Sequence, residues 1–207
     1  RRIRFTGHGV GLELDEFPFL AKGQQLPYLD RVVYLTVDSA NTQALKFQSK
    51  ETDVYSLRGQ DVATFLPKKQ ELGFELYNGG PAAGSTFVVF NQNPDGLKDA
   101  VKLGWFSDIR FRTAMAHLID KETIINNLMY GFGFPQDSFI PVVSPYYWKD
   151  APKNVPAYDP EAAKKLLDEM GLKDTNGDGI REDAKGNRLA FNLITNSGNT
   201  VREGVGN

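Results

Sequence analysis

The sequence predicts an α/β fold, in which short strands alternate with amphipathic helices. Three observations carry that expectation. Residues 31–37 and 86–91 are β-branched and aromatic runs of strand length. Phe111, Ala114, Met115 and Leu118, and again Ala163, Leu166, Leu167 and Met170, repeat at helical spacing. Turn-forming clusters such as Asn78-Gly79-Gly80-Pro81 separate the two kinds of pattern.

In chain order, residues 1–30 hold several glycines and little periodicity, and are expected to be irregular, ahead of an α/β lobe over 31–207. Residues 31–37 are expected as a strand. Asp38 or Ser39 then caps a helix to about Lys50, because a short side-chain oxygen satisfies a free N–H of the first turn. Residues 52–55 make a second short strand, and Gln60 to about Leu66 a short helix. Residues 74–77 alternate as a strand. Residues 86–91 are apolar enough to be expected as a strand buried on both faces. Two helices follow. The first carries the Phe111 stripe, with Arg110, Thr113 and His117 on another face; the second is capped by Asp120 and carries Ile124, Ile125 and Leu128. Residues 131–153 read as loop, with an aromatic knot at Tyr146-Tyr147-Trp148 that either packs or lines a ligand cleft. The helix after them has Asp159 as N-cap, Pro160 in the first turn and Gly171 just past its end, where positive φ is needed. Residues 189–195 close the pattern as a strand.

Composition narrows the function. The chain has 207 residues, 41% hydrophobic and 24% charged, with a net charge of -2. That suits a globular core and gives no electrostatic footprint for nucleic acid. Cysteine is absent, which removes disulfides, thiolate nucleophiles and Cys-ligated zinc. No apolar run is long enough to span a membrane. The N-terminal Arg1-Arg2-Ile3-Arg4-Phe5 leads into glycine and polar residues and lacks the apolar stretch of a signal peptide.

Enzyme motifs fail on their context. Residues 79–85 resemble half a phosphate-binding loop, but no lysine precedes Ser85 and a strand is expected next. Gly7-His8-Gly9-Val10-Gly11 follows no strand and has the wrong spacing for a dinucleotide fingerprint. His8 and His117 stand in no metal-ligand spacing. Residues 174–182 match the first half of a calcium loop, with Asp174, Asn176 and Asp178 as oxygen ligands and Gly179 at the sharp turn. Lys185 stands where a bidentate glutamate belongs. A structural calcium is one reading of that loop; a polar helix-to-strand connection held by side-chain-to-backbone bonds is the other. The abundant carboxylates leave a polymer-acting hydrolase as an alternative, and the loop leaves a calcium-stabilised structural module.

The order of segments carries a resemblance. Residues 39–45 lead through Gln48-Ser49-Lys50-Glu51-Thr52-Asp53-Val54 to Asp61-Val62, then Phe87-Val88-Val89-Phe90-Asn91, Phe106-Ser107-Asp108-Ile109-Arg110-Phe111-Arg112-Thr113-Ala114-Met115, Ile119-Asp120-Lys121-Glu122-Thr123-Ile124, and Tyr158-Asp159-Pro160-Glu161-Ala162-Ala163-Lys164-Lys165-Leu166-Leu167. This is similar to the extracytoplasmic substrate-binding proteins of oligopeptide and dipeptide ABC importers, bacterial extracellular solute-binding family 5. Lys50 departs from the pattern, which carries glycine there. The resemblance implies one lobe, truncated, of a two-lobed periplasmic-binding-protein-like (type II) fold with a mixed sheet flanked by helices. It implies no catalysis and no cofactor. It implies capture of an oligopeptide or dipeptide, with a sugar oligomer, nickel chelate or haem also served by this scaffold. The implied partners are permease subunits, and the implied setting is a monomer in the periplasm or at the extracytoplasmic face, with any signal or lipid anchor outside this chain. Ligand contacts are expected at Asn91, at a strand end, and at Asn196, Ser197 and Asn199, since strand ends of α/β sheets face the crevice.

Overall fold

The computed structural model describes residues 2–6, 29–81, 83–136, 138–150 and 155–207. The Gly7–Gly11 motif and His8 lie outside the described residues. The chain divides into two compact units, Arg1–Tyr77 and Asn78–Asn207.

The first unit is a parallel sheet with helices. Strand β1 (Arg2–Thr6) lies between β2 (Arg31–Leu35) and β3 (Val54–Tyr55). Arg2 pairs with Arg31 and Thr6 with Leu35 on one side; Phe5 pairs with Val54 and Thr6 with Tyr55 on the other. The central strand therefore falls inside the segment expected to be irregular. Parallel strands need a long crossover, and helix α1 (Ala40–Gln48) supplies it between β2 and β3. Ser39 caps α1 as expected, its hydroxyl accepting the Thr42 N–H at 3.3 Å. The helix ends on Lys50 at φ 59°, which lets Glu51 N–H reach the Lys46 carbonyl at 2.9 Å. That left-handed turn is why glycine suits the position and why lysine there is strained.

Helix α2 (Gly59–Phe65) continues through a 3-10 turn (Leu66–Lys68) into α3 (Lys69–Leu72). Phe65 is buried, and its ring meets Phe47, Tyr55 and Phe74 at centroid distances of 6.0, 5.5 and 6.1 Å. The expected strand at residues 74–77 is not formed. Phe74 spends its ring on this cluster, and no strand among the described residues lies alongside to take its backbone.

The second unit is helical. Helix α4 (Ala100–Ser107) is capped by Asp99, which accepts from the N–H groups of Val101 and Lys102. It was not expected, because Gly104 interrupts its pattern. Asp108 ends α4 and caps α5 (Ile109–His117), accepting the Arg110 N–H at 2.8 Å. Asp120 caps α6 (Lys121–Asn127) and Asp159 caps α7 (Pro160–Glu169), both as the sequence predicts. Gly171 follows α7 at φ 75°. A last helix, α8 (Thr200–Gly206), was not anticipated.

Helix α5 packs on α7. Phe111, Ala114, Ala163 and Leu167 are buried in that seam with Trp105, Phe106 and Leu172. Phe90 and Phe191 complete an aromatic cluster, with centroids 5.3 and 6.0 Å from Phe111. Leu118, expected in the buried stripe, is exposed. Arg110 donates to the Glu169 carbonyl at 3.2 Å and closes the C-terminal end of α7. His117 Nδ1 donates to the Ala157 carbonyl at 2.7 Å, and Asp159 N–H donates to the His117 carbonyl at 2.9 Å. This histidine fixes the chain's entry into α7.

Two further expectations fail. Residues 86–91 form no strand and are not buried: Phe87 is 60% and Val89 72% exposed. Residues 189–195 form no strand: the Leu189 N–H donates to the Arg181 carbonyl at 2.7 Å, just past the antiparallel bridges of Lys173 to Glu182 and Glu182 to Arg188, and no ladder continues beyond it among the described residues. An apolar run becomes a strand only when a neighbour takes its N–H and C=O groups along its length, and among the described residues neither run is paired in that way. Tyr146 and Trp148 stand out from the surface at 83% and 64% exposure, so these two members of the aromatic knot are not packed away.

Candidate functional site

Asn91 does not sit at a strand end. Its side chain is exposed, and its Oδ1 accepts the Asn93 N–H at 3.0 Å in a local turn. Close to it in sequence, Ser85, Thr86 and Phe87 meet Gln136, Ser138 and Phe139 around a cleft of about 270 Å³. The rings of Phe87 and Phe139 stand edge to face, 5.8 Å apart, and Phe139 is 78% exposed. Gln136 Nε2 donates to the Ser138 carbonyl at 2.6 Å, and the Ser138 hydroxyl accepts the Ile140 N–H at 3.1 Å. Among the described residues, the side chains lining this cleft are neutral. Aromatic edges beside hydroxyls and a carboxamide suit a neutral, amide- or hydroxyl-bearing ligand rather than a bare ion.

Asn196, Ser197 and Asn199 come to another task. Asn199 caps α8, accepting the Arg202 N–H at 3.0 Å, and Asn196 Oδ1 accepts from Arg202 Nη1 at 2.9 Å. Ser197 lies exposed between them. The structure brings the two asparagines together on one arginine, as helix-capping residues.

The Asp174 loop closes on itself. Carboxylate oxygens of Asp174, Asp178 and Glu182 lie within 4.8 Å of one another. Asp174 accepts the N–H groups of Gly177 at 2.7 Å and Gly179 at 2.9 Å. The Gly179 N–H foremost, helped by its neighbours, holds the Asp174 carboxyl below the usual carboxylate range. Asn176 Oδ1 accepts the Asp178 N–H at 2.8 Å. Asp178 pairs with Arg188 at 3.0 Å. Glu182 is buried and accepts from Thr175 N, Thr175 Oγ1 and Asn176 Nδ2. A cation entering here displaces Arg188 from Asp178 and Asn176 from Glu182. Sequence reasoning passed over Glu182, although it stands ninth in the loop, a position that calcium loops use. It also passed over Phe87, Gln136 and Phe139, since nothing in a sequence says that an apolar phenylalanine stays in solvent.

The largest polar knot of the first unit is structural. Asp61 is buried and accepts from Arg58 Nε and Nη2, both at 2.7 Å, and from the Tyr55 hydroxyl at 2.7 Å. Arg58 also donates to Asn41 Oδ1 at 3.0 Å. Burial raises the Asp61 carboxyl, but Arg58 and Tyr55 outweigh it and hold the group below its ordinary range. Burial, with the Asp61 charge behind it, pushes the Tyr55 hydroxyl up to about 12. Residues 55–61 thus tie β3 to α2.

The described residues thus comprise an α/β unit and a helical unit that carries a cleft edged by aromatic rings. The chain belongs to the bacterial extracellular solute-binding proteins, family 5, whose middle-region model matches residues 8–207. Members of this family are the substrate-binding components of ABC transporters and not enzymes, which overturns the hydrolase alternative. A probable ABC transporter-binding protein of Deinococcus radiodurans is 34% identical over 187 residues, covering 87% of this chain and 30% of the relative. The oligopeptide-binding protein AppA of Bacillus subtilis is 30% identical over 189 residues, covering 86% and 30%. The structure of AppA in complex with a nonapeptide matches with a TM-score of 0.67 at 29% identity, over 86% of this chain and 33% of AppA. NikA from Brucella suis, in complex with Fe(III)-EDTA, matches with a TM-score of 0.60 at 22% identity, over 87% of this chain and 34% of NikA, a likeness of fold alone. The chain spans about a third of the length of these relatives. The neighbours are periplasmic-binding proteins of type II, and among the described residues no helix is long and apolar enough to cross a membrane.

Proposed function

We propose that these residues form part of one lobe of a two-lobed solute-binding protein, which captures oligopeptides outside the cytoplasm and delivers them to the permease subunits of an ABC importer. The observation that carries this reading is the family match along residues 8–207, joined by a relative named for oligopeptide binding. In this reading the protein is a monomer at the extracytoplasmic face. The lobe in this reading is built on a mixed sheet flanked by helices. The cleft lined by Ser85, Thr86, Phe87, Gln136, Ser138 and Phe139 supports a peptide ligand, because these residues offer aromatic surface and neutral hydrogen-bonding groups. Loose, water-filled contacts of this kind tolerate many peptide sequences.

The test is fluorescence titration of the intact protein with peptides. Phe87→Ala and Phe139→Ala each weaken binding roughly five- to tenfold, the loss expected when one aromatic contact is removed. Undiminished affinity in the double variant contradicts the cleft as the capture site.

A further inference from the structure

The sequence contains two Asn-Gly pairs, Asn78-Gly79 and Asn176-Gly177, and the structure treats them differently. We propose that Asn78 is a site of spontaneous covalent modification: deamidation through a succinimide. The Gly79 backbone nitrogen attacks the Asn78 side-chain carbonyl carbon and gives up its proton to solvent. The new C–N bond closes a five-membered ring, the C–N bond to the side-chain nitrogen breaks, and that nitrogen takes a proton from solvent and leaves as ammonia. Water then opens the ring at either carbonyl and leaves aspartate or isoaspartate at position 78. No oxidant or enzyme is needed, and the co-reactant is water.

Three features favour the step at Asn78. Glycine has no Cβ to shield its nitrogen, and a Cβ placed on Gly79 meets no atom within 4 Å, so the approach is open. The Gly79 N–H donates to no other group among the described residues. The Gly80 N–H donates to Asn78 Oδ1 at 2.9 Å. That bond draws electron density from the carbonyl under attack and meets the oxyanion as it forms, as an oxyanion-hole donor does.

The second pair is locked. The Gly177 N–H, the one that must become the nucleophile, is held by Asp174 Oδ1 at 2.7 Å. Asn176 Oδ1 accepts the Asp178 N–H at 2.8 Å, the same bond that Asn78 makes with Gly80, so what sets the second pair apart is the held Gly177 N–H and the bond from Asn176 Nδ2 to the buried Glu182 at 3.2 Å. Ring closure at Asn176 has to break this set first. Asn78 opens the second compact unit, so the added charge, and the extra backbone atom of isoaspartate, fall at its first residue.

The experiment is peptide mapping by mass spectrometry after the intact folded protein has aged in mildly alkaline buffer, beside a sample aged in denaturant. Asn78 is expected to convert roughly tenfold faster than Asn176 in the folded protein, the ratio that follows when the slower site must first break two or more hydrogen bonds. In denaturant the two rates converge, and Gly79→Ala slows conversion at Asn78. Three results overturn the proposal: Asn176 converting as fast as Asn78 in the folded protein, the same ratio persisting in denaturant, or no conversion at Asn78 while the denatured sample converts. None of them bears on ligand capture, so this inference and the proposed function fail independently.

Discussion

The seam between α5 and α7 and the extended segments 86–89 and 191–194 are similarly apolar in sequence and opposite in the structure. In the seam, Phe111, Ala114 and Ala163 are fully buried. In the extended segments Phe87, Val89, Leu193 and Ile194 stand largely in solvent. A helix closes its own backbone hydrogen bonds, so two helices need only to meet face to face. An extended segment leaves alternate N–H and C=O groups open, and it orders as a strand only when a neighbour takes them. Apolar content alone therefore does not report burial.

The largest break in that contrast comes from shortening a side chain on each side of it. Phe111→Ala is expected to cost about 3–5 kcal/mol, because a fully enclosed ring leaves a cavity. Val89→Ala is expected to stay within about 0.5 kcal/mol, because its side chain has little to lose. Denaturant titration of the two variants measures both. A large loss at Val89 shows that residues 86–89 are covered in the protein as it works, and it sharpens the contrast into one of missing neighbours.

The Asp61 network carries the same contrast into polar chemistry. Asp61→Asn keeps the shape but weakens the bonds from Arg58 and Tyr55, and is expected to cost roughly 1–3 kcal/mol. The signs with pH follow from the shifts. Asp61 is depressed in the folded protein, so its contribution is present above the unfolded carboxylate pKa and is lost as pH falls through the lower folded value. Tyr55 is raised from 10.0 to about 12, so its contribution is present below 10.0 and is lost as pH rises toward 12. Stability curves for Asp61→Asn should lose the acid slope and keep part of the alkaline one, because burial, the leading cause of the Tyr55 shift, remains. A modest gain is expected at Lys50, where Lys50→Gly relieves a positive φ of 59° and gains about 0.5–1 kcal/mol in melting experiments.

The helices were readable because their signals are local. Ser39, Asp120 and Asp159 announce caps, and the Phe111 and Ala163 stripes announce the faces that pack. The strands were not, because pairing is set by residues far away in sequence. β1 shows the loss in one direction: Ile3 and Phe5 alternate with Arg2 and Arg4, a pattern too short to weigh without knowing that β2 and β3 flank it. Residues 86–91 show it in the other direction. The same blindness covers the candidate site. Asn91 was chosen for the end of a strand that is not there, and Asn199 was chosen for a loop that begins a helix. Phe87 and Phe139, which do meet, are far apart in sequence and form a long-range contact that no spacing rule contains.

Ligand capture without chemistry is the central claim, and isothermal titration of the intact protein with a peptide mixture tests it most directly, with the peptides analysed before and after. Saturable heat with every peptide recovered unchanged is the predicted result; new cleavage products, or no saturable heat with any peptide, would contradict it.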